Sequence, residues 1–351
     1  MNPTLFASVE DKPQLVGIAR LAAEGESLRE GHDVEYFTLP ARSLLNRCTS
    51  RRGMPFTWTI NPYRGCEFAC QYCYARYTHE FMEMRDGKDF ERKIYVKQHT
   101  AELLRRDWRR VKPGEAIALG TATDPYQPAE RRYEVTRGIL EEIARHRSFA
   151  LSIITKSNLI VRDVELLQAV ARQNRLSVTV TITTLDTGLA RLLEPRAPRP
   201  DLRLEAVREL NRAGVRVGVN CAPVLPGITD APSDLEDVVK AASEAGAGHL
   251  FAGPLFLKPC AAAVFLPFLS THFPHLAANY RERYHDHAFL PPAYGKRLAD
   301  LFERLRAKHG LSSGDRRSKT GSVPKEPESA GARQLDLFEV AAHTAGPCRP
   351  L

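Results

Sequence analysis

The sequence predicts an α/β fold in which short strands alternate with helices around a parallel sheet. Three observations predict it. Between about residues 57 and 257, six short β-branched or apolar runs alternate with segments of helical period, the pattern of βα units. The chain of 351 residues is long enough to bury a full core. Six units are also too few to close an eight-stranded barrel.

The candidate strands run over residues 57–60, 116–119, 149–155, 177–183, 215–220 and 249–253. Between them lie apolar residues three or four apart, which is the spacing of one helix face: Val135, Ile139 and Ile143; Val164, Leu167 and Val170; Leu204, Val207 and Leu210; Leu235, Val238 and Ala242. Ser233 with Glu236 reads as a capping box at the start of the last of these helices. Residues 1–50 have weak periodicity and are expected to form an N-terminal extension that wraps the βα region of residues 51–260. Residues 261–310 turn aromatic and end in an amphipathic helix carrying Leu298, Leu301, Phe302 and Leu305, which reads as a C-terminal cap. From Ser312 to Arg333 the composition shifts to Ser, Gly, Pro, Lys and Glu, too polar to bury a core, and residues 311–351 are expected to form a disordered tail.

The most specific signal is the run Asn61-Pro-Tyr-Arg-Gly-Cys-Glu-Phe-Ala-Cys-Gln-Tyr-Cys-Tyr-Ala-Arg76, which spaces Cys66, Cys70 and Cys73 as C-x-x-x-C-x-x-C. Three thiolates this close can hold three irons of a [4Fe–4S] cluster and leave the fourth iron an open position. A zinc site completed by His79 or Cys48 is the competing reading, but structural zinc usually pairs two knuckles, and no matching second pair follows. A disulfide scaffold does not suit an odd total of seven cysteines in a chain this long.

This loop resembles the cluster loop of the radical S-adenosylmethionine superfamily, with Tyr72 as the aromatic before the third cysteine. Its flanks, Asn61 to Cys66 and Tyr72 to Arg76, further resemble the branch that contains spore photoproduct lyase. The resemblance implies an open six-stranded partial (β/α)6 barrel and two cofactors, a [4Fe–4S] cluster and S-adenosylmethionine. It implies a reaction in which an electron from the reduced cluster breaks the sulfur–C5′ bond to give methionine and a 5′-deoxyadenosyl radical. It also implies a flavodoxin- or ferredoxin-type electron donor.

The loops after the strands should form one pocket, because chemistry in βα barrels sits at the carboxyl ends of the strands. Thr121, Thr123 and Asp124, after the second strand, stand where the superfamily carries a Gly-Gly-Glu-like segment for the methionyl amine; the literal Gly-Gly-Glu is absent. Lys156 and Arg196 are candidate cations for the methionyl carboxylate. Asn220, Pro223 and Gly227 crowd the exit of the fifth strand and suit contact with adenine or ribose. Tyr72 is the adenine-side aromatic. A repair lyase needs a hydrogen-atom donor, for which Cys260 and Cys221 are the candidates.

The formal charge of +8, with clusters at Arg105–Lys112 and at Arg316–Lys319, favours a polyanionic partner. Gln334-Leu-Asp-Leu-Phe338 resembles the peptide by which bacterial repair proteins bind the sliding clamp, with Leu335, Leu337 and Phe338 as the anchors on the tail's Asp336-containing tip. The combined expectation is a cytoplasmic enzyme with no membrane span that acts on DNA as a repair lyase. The alternatives are a radical enzyme acting on RNA, protein or a small molecule, and a metal-stabilised nucleic-acid adaptor without catalysis.

Overall fold

A computed structural model describes residues 15–31, 33–48 and 55–313. The clamp-like peptide and the last basic cluster lie outside these residues. The strands in chain order are β1 (Ser27–Gly31), β2 (Val34–Leu39), β3 (Asn46–Arg47), β4 (Trp58–Ile60), β5 (Tyr63–Arg64), β6 (Lys93–Lys97), β7 (Ala116–Leu119), β8 (Ala150–Thr155), β9 (Arg175–Thr181), β10 (Val217–Val224) and β11 (His249–Pro254). They form two sheets. The larger has the order β11-β10-β9-β8-β7-β4-β3, with its six strands from β4 to β11 parallel and β3 antiparallel on β4. Among the described residues no pairing joins β11 to β4, so the expected open (β/α)6 arrangement is what the chain adopts.

Strand alternation gives this sheet two different faces. Leu151, Ile153, Val178, Val180, Val217 and Val219 lie on one face and share a core with Ile139, Leu167, Val207, Leu210, Leu235 and Val238 of the crossover helices. Each such side chain contributes roughly 1.5–3 kcal/mol on burial, so this face anchors the helices. The other face carries Thr59, Ser152, Ile154, Ser177, Asn220 and Phe251, all only half-buried. It is the hollow side of the open barrel.

The smaller sheet, in the order β1-β2-β6-β5, joins the N-terminal hairpin to the strands that flank the cysteine loop. Three C-terminal helices complete the fold. Pro259–His272 and Pro274–Arg283 pack Phe265, Leu269 and Tyr280 against Phe68 and Tyr72 of the cysteine loop. Pro292–Lys308 lays Leu298, Phe302 and Leu305 on the main core, and the chain beyond it pairs Ser312 with the outer edge of β11. Among the described residues no helix is long and apolar enough to cross a membrane.

Two local expectations are corrected. β9 begins two residues earlier than predicted, and β10 continues through Cys221-Ala-Pro-Val224. The capping box does not form, because Pro232 takes the first helical position and Ala231 the cap. Ser233 bonds Asp234 instead, and Glu236 reaches Lys308 and His309.

Candidate active site

The cysteine loop leaves β4 at Asn61, whose side chain ties it to the next strand's loop by accepting from the Ala122 N–H at 2.8 Å and donating to Thr121 Oγ1 at 3.3 Å. Gly65 is required for a physical reason. Its φ is +84°, and a Cβ there would lie 2.7 Å from the Lys93 carbonyl oxygen and 2.9 Å from that of Phe90. The Gly65 carbonyl accepts from Thr123 Oγ1 at 2.6 Å and Gln127 Nε2 at 3.1 Å. Buried Glu67 accepts from Tyr36 Oη at 2.8 Å and the Ala129 N–H at 2.7 Å, while Gln127 Oε1 accepts from the Glu67 N–H. On its other side the loop bonds the segment after β9, Gln71 N–H to Leu193 carbonyl and Arg196 N–H to Phe68 carbonyl. These bonds from both sides hold Ala69 at a φ of +56°, a left-handed conformation that costs an alanine roughly 1–2 kcal/mol.

Cys66 and Cys70 are buried and Cys73 half-buried among Phe68, Tyr72, Leu193 and Leu255. Burial pushes all three thiols up, Cys70 to about 12, and for Cys66 the neighbouring Asp124, Cys70 and Cys73 push further in the same direction. Such thiols ionise when a metal shares their charge. Among the described residues no three His, Cys, Asp or Glu side chains converge on a single-ion site; thiolates that each bind a different iron of one cluster need not meet at one point. The donor set, its dry walls and the nearby cation Lys156 fit a cluster. His79, considered as a zinc ligand, instead places Nε2 3.0 Å from the Lys93 carbonyl and its ring edge against Phe90.

A buried ion group that the sequence reading missed sits beside the thiols. Glu194 pairs with Arg203 at 2.5 Å and lies 3.9 Å from Lys156 Nζ; it also accepts from Tyr72 Oη and, at 3.3 Å, from Thr183 Oγ1. Burial would raise the Glu194 carboxyl, but the charges of Arg203 and then Lys156 outweigh it and hold it below the usual range. Desolvation lowers Lys156, but the neighbouring Cys70 and Glu194 together raise it above its ordinary value. The sequence signal for Arg203 was a charge adjoining the apolar face at Leu204 and Val207; that for Glu194 was an acid directly after a strand-exit helix.

The structure brings Tyr72, Thr121, Asp124 and Lys156 to the cysteine loop, all at the carboxyl ends of β4, β7 and β8. Asp124 is half-buried and accepts from Thr155 Oγ1, the Lys156 N–H and the Tyr126 N–H, so its carboxylate fixes the start of the Lys156 loop. Thr123 braces the cysteine loop, its hydroxyl donating to the Gly65 carbonyl and accepting from Gln127 Nε2. Arg196 is exposed and turns to the Glu91 carbonyl. Asn220 faces the hollow side of the sheet beside Phe251. Pro223 follows a cis peptide after Ala222, and Gly227 lies under Leu276 of the C-terminal helices, with the Pro226 carbonyl bonded by Tyr280 Oη. Cys221 shares the helix-covered face with Val217 and Val219 and has no exposure, which takes it away from the hollow. Cys260 is half-buried in the first turn of Pro259–His272 beside Tyr77, whose ring carries Lys258 Nζ at 3.9 Å.

The family model of the radical SAM superfamily matches residues 60–242, the stretch from the end of β4 to the helix before β11. A protein of Mycobacterium tuberculosis described as uncharacterized is 36% identical over 302 residues, covering 85% of this chain and 86% of its own. Another from Methanocaldococcus jannaschii is 30% identical over 173 residues, covering 49% of this chain and 62% of its own. Among solved structures, spore photoproduct lyase complexed with dinucleoside spore photoproduct superposes with a TM-score of 0.55 at 15% identity, over 78% of this chain and 79% of that one. A doubly substituted mutant of that lyase with bound AdoMet and the same dinucleoside gives the same score, identity and coverage. These structures share the fold. The chain belongs to the radical S-adenosylmethionine superfamily, whose enzymes use a [4Fe–4S] cluster and S-adenosylmethionine.

Proposed function

We propose that this radical SAM enzyme acts on nucleic acid, as a lesion lyase or a related enzyme that removes a hydrogen atom from a nucleotide. The observation that carries the reading is the convergence of Cys66, Cys70 and Cys73 with Lys156 at the mouth of a sheet face lined by Thr59, Ser152, Ser177 and Asn220. The three cysteines would hold the cluster, Lys156 the methionyl carboxylate, and Tyr72 the adenine side. When bound and reduced, the cluster supplies the electron that cleaves S-adenosylmethionine. The chain's own contribution is to hold that chemistry dry: Phe68, Leu193 and Leu255 exclude water, and the Glu194–Arg203 pair fixes Tyr72. Asn220 and the hydroxyls of the hollow face offer neutral donors and acceptors to a base, and Cys260 is the proposed hydrogen-atom donor. The net charge of +8 and the likeness in fold to a lyase solved with a dinucleoside photoproduct support the nucleic-acid substrate.

The test uses anaerobic protein reconstituted with iron and sulfide, S-adenosylmethionine and dithionite. The expected result is 5′-deoxyadenosine from wild type and none from Cys70→Ala. Ultraviolet-irradiated DNA should raise its yield, or lose photoproducts, where undamaged DNA does not. Formation of 5′-deoxyadenosine with no response to irradiated DNA or RNA would set aside the nucleic-acid substrate and leave the radical chemistry standing.

A further inference from the structure

The segments that lead into the parallel strands set a row of cations along one end of the sheet. Lys112 precedes β7, Arg147 precedes β8, Arg172 lies in the last turn of the helix that feeds β9, and Arg216 precedes β10. The first three strands start level, Ala116 beside Ala150 beside Arg175, and the loops before them are tied by the Gly114 N–H to the Ser148 carbonyl and the Ser148 N–H to the Gln173 carbonyl, so Lys112, Arg147 and Arg172 share one rim; Arg216 continues it a step inward, since Val217 stands beside Val178. All four are exposed, and among the described residues none has a carboxylate at ion-pair distance. Glu115, the acid next to Lys112, accepts from Trp58 Nε1 and the Lys112 backbone N–H, and its carboxylate also lies within the field of Lys112 and Arg47 without forming an ion pair. Arg110 and Arg47 extend the row past β4, with guanidinium carbons 4.8 and 6.0 Å from the Trp58 ring centroid.

Helix dipoles explain part of this row only. A cation in the last turn of a helix is favoured by the carbonyl ends there, which covers Arg172. Lys112, Arg147 and Arg216 lie in loops beyond the helix ends, where that effect has fallen away. The opposite end of the sheet is mixed in sign, with Asp124 and Glu194 beside Lys156.

We propose that this rim binds the phosphate backbone of a nucleic-acid duplex. With strands about 4.8 Å apart, the rim from β4 to β10 spans about 19 Å, along which a duplex offers roughly eleven phosphate charges at one per ~1.7 Å. Guanidinium groups suit phosphate because their planar fork donates two parallel hydrogen bonds. The inference rests on the nucleic-acid part of the function proposed above. It uses no residue of the cluster site, so either can fail without the other.

The experiment measures binding of a labelled undamaged DNA duplex, and of an RNA duplex of the same sequence, to the full reconstituted chain across a potassium chloride series. The Lys112→Gln/Arg147→Gln/Arg216→Gln variant should lower the slope of log affinity against log salt by about 2.7, three phosphate contacts at 0.9 each, and weaken binding roughly tenfold or more at low salt. Arg283→Gln/Arg297→Gln/Arg304→Gln, the same charge change on the exposed C-terminal helices, should leave the slope as it is. Both variants should melt like wild type and still form 5′-deoxyadenosine. Equal losses with both duplexes mark a backbone reader, and a loss confined to one names the nucleic acid it takes. An unchanged slope in the rim variant, an equal drop in the control, or equal binding of poly-L-glutamate with the same loss overturns the proposal.

Discussion

Glu194→Gln changes one atom's chemistry at the most buried charge beside the cysteine loop. The Glu194 and Arg203 side chains are 0% and 1% exposed and pair at 2.5 Å. Arg203 also donates to the Thr181 carbonyl at 3.0 Å and the Pro198 carbonyl at 2.7 Å, which fix its place but do not cancel its charge. Removing one partner of such a pair leaves the other buried and uncompensated, a loss of about 3–5 kcal/mol. Glutamine keeps the volume and can still accept from Tyr72, so the change isolates charge from packing. The sign with pH follows from the depressed Glu194 value. The carboxylate's contribution is present above the ordinary pKa of about 4.5 and is lost as pH falls through the lower folded value. Urea unfolding followed by far-ultraviolet circular dichroism at pH 7 should show a lower midpoint for the variant with an unchanged slope. Adding Arg203→Met should recover much of the loss, since a pair replaced as a unit leaves no orphaned charge. A cost under about 1 kcal/mol for Glu194→Gln, or a double variant no more stable than the single one, would refute the reasoning.

His79 is buried, and burial first, then the charges of Arg64, Lys93 and Arg76, lower it to about 4. The unfolded chain takes up that proton below about 6.5, so the stability His79 contributes as a neutral ring is whole above this pH and lost towards pH 4, about 3 kcal/mol in full. Wild type should therefore lose more melting temperature between pH 7 and 4.5 than His79→Phe, and parallel losses would count against it. Gly120 has a φ of +91°, and a Cβ there would lie 2.6 Å from the Ile154 carbonyl oxygen. Gly120→Ala should cost about 2 kcal/mol or more by thermal melting, and an unaltered melting temperature would show that the backbone yields freely. Thr123→Val removes the hydroxyl that braces the Gly65 carbonyl, which should cost about 1–2 kcal/mol. The same variant should lose iron faster to a chelator after reconstitution; loss at the wild-type rate would mean that the brace does not hold the loop.

The parts of this protein written locally were open to reading from its amino acids. Cys66, Cys70 and Cys73 must fall within one loop to serve one cluster, so their spacing carries the chemistry without any tertiary contact. The six parallel strands and their helices announce themselves by period, because one face of each must be apolar to be buried. Sequence order also places Thr121, Asp124 and Lys156 in loops after strands, and hence at one end of the sheet. It does not decide which way a side chain turns. Thr123 and Arg196 read as well as their neighbours, yet one braces Gly65 and the other faces solvent. Cys221 falls on the helix side and Asn220 on the hollow side because adjacent strand residues point oppositely. Pairing Glu194 with Arg203 and Tyr72 depends on a segment after β9 meeting the loop after β4, a contact across 122 residues for Tyr72. Only the packed fold decides such partnerships, since a buried charge finds its counter-ion by proximity in space, and no local pattern encodes that distance.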